Sequence, residues 1–157
     1  MMDINFKVAQ LSDIDVLETF MREYYEFDHL PFDESIARQA LINFLDDETL
    51  GRIWLIQADG EAVGYLALTL GYSLEYHGRD AFIDEIYVRE SRRGQGIGTK
   101  AIEFAEEAGR ALGVNALHLE VERENTKAQA FYRMVGFEDH DRYLLTKWIS
   151  KQHHNIS

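Results

Sequence analysis

Residues 81–99 read Ala-Phe-Ile-Asp-Glu-Ile-Tyr-Val-Arg-Glu-Ser-Arg-Arg-Gly-Gln-Gly-Ile-Gly-Thr, and this stretch decides the fold. Its first part, 82–88, is a run of β-branched and aromatic residues that predicts a buried strand. Glycines follow at alternate positions over 94–98, and residues 100–112 carry apolar side chains at helical spacing. A strand that passes through a glycine turn into a helix offers free backbone N–H groups at the positive end of the helix dipole. The pattern therefore predicts a loop that cradles a pyrophosphate.

Two known phosphate-binding patterns fit this loop badly. The P-loop pattern is absent because Gly98 is followed by Thr99 before Lys100. The dinucleotide pattern G-x-G-x-x-G matches in part, but Thr99 stands where its third glycine belongs. Glu120 and Glu122 lie where that pattern places a ribose-binding acid, so a dinucleotide-binding oxidoreductase stays open as an alternative. A plain glycine turn between a strand and a helix is the structural alternative.

Two motifs in order carry a more specific resemblance. Residues 93–98 spell R-x-x-G-x-G, and residues 125–137 spell N-x-x-A-x-x-F-Y-x-x-x-G-F. Together they resemble the acetyl-coenzyme A loop and the C-terminal motif of the general-control-related N-acetyltransferase (GNAT) superfamily. The resemblance implies a single α/β (α+β) domain over residues 1–150, with a mixed six- to seven-stranded central sheet flanked by about four helices, and a frayed tail over 151–157.

The order of predicted elements agrees with that fold. Ser12 is the expected N-cap of the first helix, which ends before Leu30-Pro31 because proline cannot continue it. Asp59-Gly60 separates two apolar runs and predicts a hairpin. Gly136 is the expected C-cap of the last helix. The predicted strands are 5–9, 52–58, 62–72, 82–88, 116–121, Phe137 and 143–148, and the predicted helices are 12–27, 33–46, 100–112 and 127–135.

Composition narrows the function classes. The 157 residues are 46% hydrophobic, which indicates a globular chain, and none is cysteine, which excludes disulfides and a cysteine nucleophile. The formal net charge of −12 disfavours nucleic-acid and anionic-membrane partners and suits a cationic one. No apolar run is long enough for a membrane span, and the first residues lack the pattern of a signal peptide, so we expect a cytoplasmic location. The histidines have no ligand spacing, and no metal is expected.

Asp84 and Glu85 are the candidate acids for amine chemistry. A free alkylamine has a pKa of about 10.4 and must lose a proton before it attacks an acyl group. Neighbours on a strand point to opposite faces, so only one of the two faces the acceptor unless a bulge intervenes. The resemblance implies an acid here that binds the amine or accepts its proton through water, and it places the hydroxyl of Tyr132 as general acid toward the leaving thiolate.

The resemblance also implies which residues bind acetyl-CoA. The backbone near 86–88 would pair with the pantetheine arm and polarise the thioester carbonyl. Asn125 would contact that arm, or simply cap the last helix. The residues implied in coenzyme binding are Ile86, Tyr87, Val88, Arg93, Gly94, Gln95, Gly96, Ile97, Gly98, Thr99, Asn125, Ala128 and Tyr132.

The acceptor side is predicted from residues 23–34, which hold five acids and no Lys or Arg. Acids among aromatic rings suit an ammonium group, although a solvated acidic helix face explains them equally. The expected acceptor is a polyamine, an aminoglycoside or a peptide amine, and a non-catalytic acyl-CoA sensor is the alternative function. A homodimer is also expected. The predicted substrate-binding residues are Tyr24, Glu26, Phe27, Tyr72, Glu75, Asp84 and Glu85.

Overall fold

The structure, a computed structural model, describes residues 2–150 and contains one five-stranded sheet in the order β1-β2-β3-β4-β5. The predicted tail 151–157 lies outside the described residues. Strands β1 to β4 pair antiparallel, whereas β5 pairs parallel to β4 because α3 carries the chain back between them. The elements are β1 Ile4–Val8, α1 Ile14–Phe27, α2 Glu34–Leu45, β2 Gly51–Ala58, β3 Glu61–Ser73, β4 Gly78–Val88, α3 Ile97–Ala111, β5 Ala116–His118 and α4 Thr126–Met134.

The two faces of the sheet bury separate apolar clusters. One cluster holds Leu17, Phe20 and Leu41 of α1 and α2 against the sheet, and the other holds Ile102 and Ala105 of α3. Side chains along each strand alternate between the clusters because successive residues of a strand point to opposite faces. The sheet is therefore a rigid support whose centre, β3 and β4, is covered on both sides.

Helix starts differ from the predicted ones by a few residues. A 3-10 turn at Leu11–Asp13 precedes α1, so Asp13 rather than Ser12 occupies the position before the helix. Helix α3 begins at Ile97 instead of residue 100, which places Gly98 inside its first turn. Gly136 follows the end of α4 with a φ of +106°, a backbone conformation that favours glycine.

The predicted strands at the C-terminal end are wrong. Within residues 2–150 the sheet has five strands instead of six or seven, and neither Phe137 nor 143–148 forms a strand. Strand β5 ends at His118 instead of residue 121. The segment 143–148 has a strand-forming composition, but Leu144 and Leu145 are exposed, and within residues 2–150 the segment is not part of the sheet.

Across residues 2–150, no helix combines the length and the apolar character that crossing a membrane requires. Over the same residues, no group of three or more His, Asp or Glu side chains is arranged to hold a metal ion.

Candidate active site

A β-bulge in the central strand brings the two candidate acids to the same side. Ala67 of β3 pairs with Glu85, but the next residue, Leu68, pairs with Ile83, so Asp84 is an extra residue in β4. Ile83 packs in the α3 cluster, whereas the carboxylate of Glu85 points toward α1. Asp84 acts electrostatically on the same tyrosines of α1 that surround Glu85. Because a bulge breaks the strict alternation of a strand, Asp84 and Glu85 need not point to opposite faces, and both carboxylates act on the tyrosines of α1.

The Glu85 carboxylate is held by two phenols from different elements. The hydroxyl of Tyr65 in β3 donates to one carboxylate oxygen at 2.8 Å, and the hydroxyl of Tyr25 in α1 donates to the other. Burial raises the pKa of the Glu85 carboxyl above its ordinary value, the two phenol hydrogen bonds oppose that rise, and the nearby charge of Asp84 adds to it. A desolvated carboxylate with a raised pKa is better suited to accept a proton near neutral pH than an ordinary one.

Asp84 lies at the open side of this cluster. Its side chain is exposed, but the surrounding protein still desolvates it enough to raise the pKa of its carboxyl. Tyr24 of α1 and Tyr132 of α4 lie within electrostatic range of each other, and both lie within range of Asp28. Burial is the main cause that raises the pKa of Tyr132, so its hydroxyl holds its proton more firmly than a free phenol.

The glycine loop leads into α3, whose N-terminus has no side-chain cap. Gly94 and Gly96 have φ values of +76° and +82°, and a Cβ added to either would meet nothing within 4 Å. Gly96 precedes α3 without a side-chain cap, and no acidic residue lies in the first turn, so the N–H groups there are free to bind an anion. The open space and the free donors fit a pyrophosphate group.

Beside this loop, β4 and β5 separate. Their pairing ends at Phe82–His118. The N–H of Arg89 donates to Val63 across β3 at 2.8 Å, so the alternation of an antiparallel pair turns the N–H and C=O groups of Val88 and Ile86 toward the opposite edge. That edge faces the gap that β5 leaves. An extended chain of amides, such as pantetheine, fits an unpaired strand edge of this kind.

Arg93 lies at the end of this strand edge, next to Val88. Its Nε donates to the Val88 carbonyl at 2.8 Å, and its guanidinium lies 4.3 Å from the Phe27 ring centre and 5.5 Å from that of Tyr87. Its charge therefore stacks on aromatic rings of the protein. Lys100, at the start of α3, lies 3.8 Å from Glu103. Backbone donors, more than these side chains, make the loop attractive to an anion.

The other predicted coenzyme residues divide by exposure. Gln95 is exposed in the loop, and Thr99 is half-buried on α3. The Ile97 side chain is 1% exposed and packs in the core, so only its backbone can reach a ligand. Asn125 caps α4, because its side-chain oxygen accepts from the N–H of Ala128 at 3.1 Å.

Two of the predicted acceptor residues, Tyr72 and Glu75, lie away from Asp84 and Glu85. Tyr72 pairs with Arg79, five residues along β3 from the partner of Glu85, which corresponds to roughly 17 Å. Glu75 forms an ion pair with Arg142 at 2.6 Å on the same distant hairpin. The structure does not bring Tyr72 or Glu75 to Glu85.

The acidic stretch 23–34 has mixed roles. Glu23 accepts from the Tyr87 hydroxyl at 2.9 Å and pairs with Arg89 at 2.9 Å, so it fastens α1 to β4. Asp33 caps α2. Glu26 and Phe27 line a cleft of about 510 Å³ that borders the end of β4.

The predicted site residues did not include Tyr65, and Tyr25 and Asp28 entered only as part of the acidic stretch 23–34. Tyr65 lies in an apolar strand, where the sequence carries no sign that its hydroxyl has a partner. Tyr25 and Asp28 flank the predicted Tyr24 and Phe27, and the helical spacing of α1 could have placed Asp28 one turn from Tyr24.

Comparisons with known proteins agree with this geometry. A sequence model of the Acetyltransferase (GNAT) family matches residues 14–137. The chain is 32% identical over 149 residues to thialysine N-epsilon-acetyltransferase of Mus musculus, covering 88% of this chain and 86% of that protein. It is 29% identical over 119 residues to aminoalkylphosphonate N-acetyltransferase of Salmonella typhimurium, covering 75% and 73%.

Solved structures share the architecture. An integron cassette protein, HFX_CASS3, from the mobile metagenome of Cole Harbour Salt Marsh superposes with a TM-score of 0.81 at 35% identity, covering 92% of this chain and 90% of that one. Aminoglycoside N-acetyltransferase AAC(6')-Iy, solved in complex with CoA, superposes with a TM-score of 0.78 at 16% identity, covering 96% and 97%. At that identity the second likeness concerns the fold alone.

Proposed function

The chain belongs to the Acetyltransferase (GNAT) family, an N-acetyltransferase family, and from that premise we propose that it moves an acetyl group from acetyl-CoA directly to the primary amine of a small cationic acceptor. The observation that carries the proposal is the bulge in β4. It turns Asp84 and Glu85 toward one cluster of tyrosines, beside a strand edge and glycine loop that fit the coenzyme.

The charge of the cluster supports a cationic acceptor. Asp84, Glu85 and Asp28 all act electrostatically on Tyr24, and within residues 2–150 no Lys or Arg forms an ion pair with these three acids. An ammonium group is attracted by such carboxylates and by aromatic faces. The relatives are named for thialysine and aminoalkylphosphonate, which carry amines, so we include polyamines, aminoglycosides, lysine-like amines and peptide amines among the candidates.

In this proposal Asp84 binds the ammonium group at the mouth, and Glu85 accepts its proton, through a water if the distance requires one. Acetyl-CoA, when bound, supplies the acetyl thioester. The neutral amine attacks the thioester carbonyl, so that a C–N bond forms as the C–S bond breaks. The backbone N–H groups that Ile86 and Val88 turn to the open edge would polarise the carbonyl oxygen.

Tyr132 completes the reaction by donating its hydroxyl proton to the departing thiolate. The amide nitrogen then loses its second proton, which restores the tyrosine through solvent. The net change is one ammonium and one thioester converted to one amide, one thiol and one released proton. Burial supports this role for Tyr132, because a phenol with a raised pKa stays protonated until a strong base such as a thiolate forms.

The test measures thiol release from acetyl-CoA with a panel of polyamines, aminoglycosides, lysine-like amines and short peptides. With an active acceptor, Glu85→Gln should lower kcat/KM about a hundredfold or more. Asp84→Asn should mainly raise the KM for the acceptor. Glu106→Gln, on the exposed face of α3, is the matched control and should leave both parameters unchanged. Tight coenzyme binding without turnover on any amine would refute the proposal and favour the sensor function.

We also propose a homodimer. The segment 143–149 exposes a concentration of large apolar side chains, with Leu145 at 89% and Ile149 at 88% exposure. Exposed apolar groups of this density are typical of an interface. Sedimentation should give about twice the mass of one chain, and Leu145→Asp should shift it toward the monomer; a monomeric wild-type protein would refute the dimer.

A further inference from the structure

The rings of Tyr25 and Tyr65 pack in the cluster under α1 and α2, but their hydroxyls add nothing to apolar packing and instead bind Glu85. Tyr65 is 1% exposed, so its hydroxyl is surrounded by protein and finds its partner in one Glu85 oxygen. Tyr25 reaches the second oxygen from α1. An apolar ring at either position would fill the same space without a hydrogen bond. The pair of tyrosines thus fixes the plane and the direction of one carboxylate.

The arrangement matches the ionised form of Glu85. Burial and the Glu85 charge raise the pKa of Tyr65 and Tyr25 well above that of a free phenol, so both hydroxyls keep their protons and act as donors. An ionised carboxylate offers acceptor sites on both oxygens, whereas a protonated one carries a donor on one of them. If Glu85 were protonated, its carboxyl O–H would face the O–H of one tyrosine, and both groups would be donors.

The other groups near Glu85 do not stabilise its ionised form. Tyr24 and Asp84 face Glu85 from α1 and β4, but Asp84 opposes its ionisation. Within residues 2–150, no Lys, Arg or His forms an ion pair with Glu85. The two phenols are thus the groups that offset the cost of burying this charge.

We propose that Tyr25 and Tyr65 are positioning residues for acetyl transfer, which hold the Glu85 carboxylate ionised and aimed at the acceptor amine. This inference rests on the proposed function, in which Glu85 accepts the proton of the amine. Neither tyrosine touches the substrate in this role; each acts through Glu85.

The test is the pH dependence of kcat/KM in Tyr65→Phe and Tyr25→Phe, with the acceptor that is active in the panel. Each hydroxyl stabilises the ionised carboxylate, so its loss raises the pKa of Glu85. The acidic limb of the profile should then move to higher pH by about one unit in either variant. The KM for acetyl-CoA should stay within about twofold. Tyr76→Phe is the matched control, because its hydroxyl bonds to His140 at 3.1 Å in another part of the molecule, and its limb should coincide with that of the wild type.

A second measurement does not depend on turnover. In protein labelled with carbon-13 at the Glu side-chain carboxyl, the Glu85 signal, assigned by its loss in Glu85→Gln, should titrate at higher pH in both phenylalanine variants. Tyr25→Phe keeps the inference testable if Tyr65→Phe, in the core, fails to fold. An unmoved limb together with an unmoved carboxyl titration would overturn the inference. Wild-type activity in Glu85→Gln would instead refute the proposed role of Glu85, which separates the two failures.

Discussion

Tyr132 occupies a fixed position on α4. Its ring centre lies 5.3 Å from that of Phe131 and 5.9 Å from that of Phe137, and the second contact is edge-on. Aromatic contacts at these distances restrict the movement of the ring. A side chain that merely filled the core would serve as well with phenylalanine, so the hydroxyl itself is the part that chemistry can test.

Tyr132→Phe should lower kcat about a hundredfold, because a positioned acid contributes about 10²–10⁴ to the rate. The KM for acetyl-CoA should change by less than about threefold, since the ring and its contacts remain. Kinetics of thiol release with the active acceptor provide the measurement. Tyr143→Phe is the control, since that tyrosine is 80% exposed and its ring lies under Arg123. An unchanged kcat in Tyr132→Phe would remove the general acid from the mechanism.

At the scale of elements, the order of strands and helices from β1 to α4 was predictable, and so was the strand–loop–helix unit at 82–112. Apolar periodicity reports which face of an element is buried, and Asp59-Gly60 marks its hairpin directly. The bulge at Asp84 was not predictable, because its flanking residues carry no glycine or other local sign of one. It arises from the register with β3, a partner more than ten residues away along the chain.

The site around Asp84 and Glu85 was likewise predictable only in part. Tyr132 belongs to the C-terminal motif, and Asp84 and Glu85 lie on the strand before the glycine loop, so the resemblance could name them. The partnership of Tyr25 with Tyr65 depends on how α1 packs on the sheet, which no local pattern encodes. The segment 143–148 was predicted as a strand from composition alone, but a strand forms only where the segment also joins a sheet, and within residues 2–150 this one does not.

The pairing of β3 with β4 positions the whole site and leads to a stability prediction. A Cβ at Gly64 would lie 1.9 Å from the backbone oxygen of Tyr87, so Gly64→Ala must push the two strands apart. We expect the free energy of unfolding to fall by about 2 kcal/mol or more. Gly109→Ala is the control. Gly109 lies inside α3, where alanine favours the helix, and its added Cβ would make an ordinary contact at 3.6 Å with Val114, which follows the helix. Urea unfolding gives both values, and equal stability of Gly64→Ala and wild type would contradict the register of β3 and β4.

At the scale of the whole molecule, the formal net charge is −12, and the cleft at the end of β4 is lined by Glu23, Glu26 and Glu90 together with Arg89. Many of the acids are neutralised locally, as the ion pairs of Glu23 with Arg89 and of Asp139 with Arg133 illustrate. The excess still creates a negative potential that extends about a Debye length from the surface, which is about 10 Å at 0.1 M salt. A polycationic acceptor should therefore be drawn to this protein before it makes any specific contact.

Salt should weaken that attraction without slowing the chemical step. Between about 0.02 M and 0.3 M sodium chloride, we expect kcat/KM for a polyamine acceptor to fall about tenfold, through KM, while kcat changes by less than about twofold. A monoamine acceptor should respond far less, because the effect grows with the charge of the acceptor. Asp28→Asn should reduce the salt dependence more than Glu106→Gln, since Asp28 lies beside Tyr24 and Tyr132 and Glu106 lies on α3. Equal salt dependence for the two amines would mean that specific contacts alone select the acceptor, and the net charge would then serve solubility.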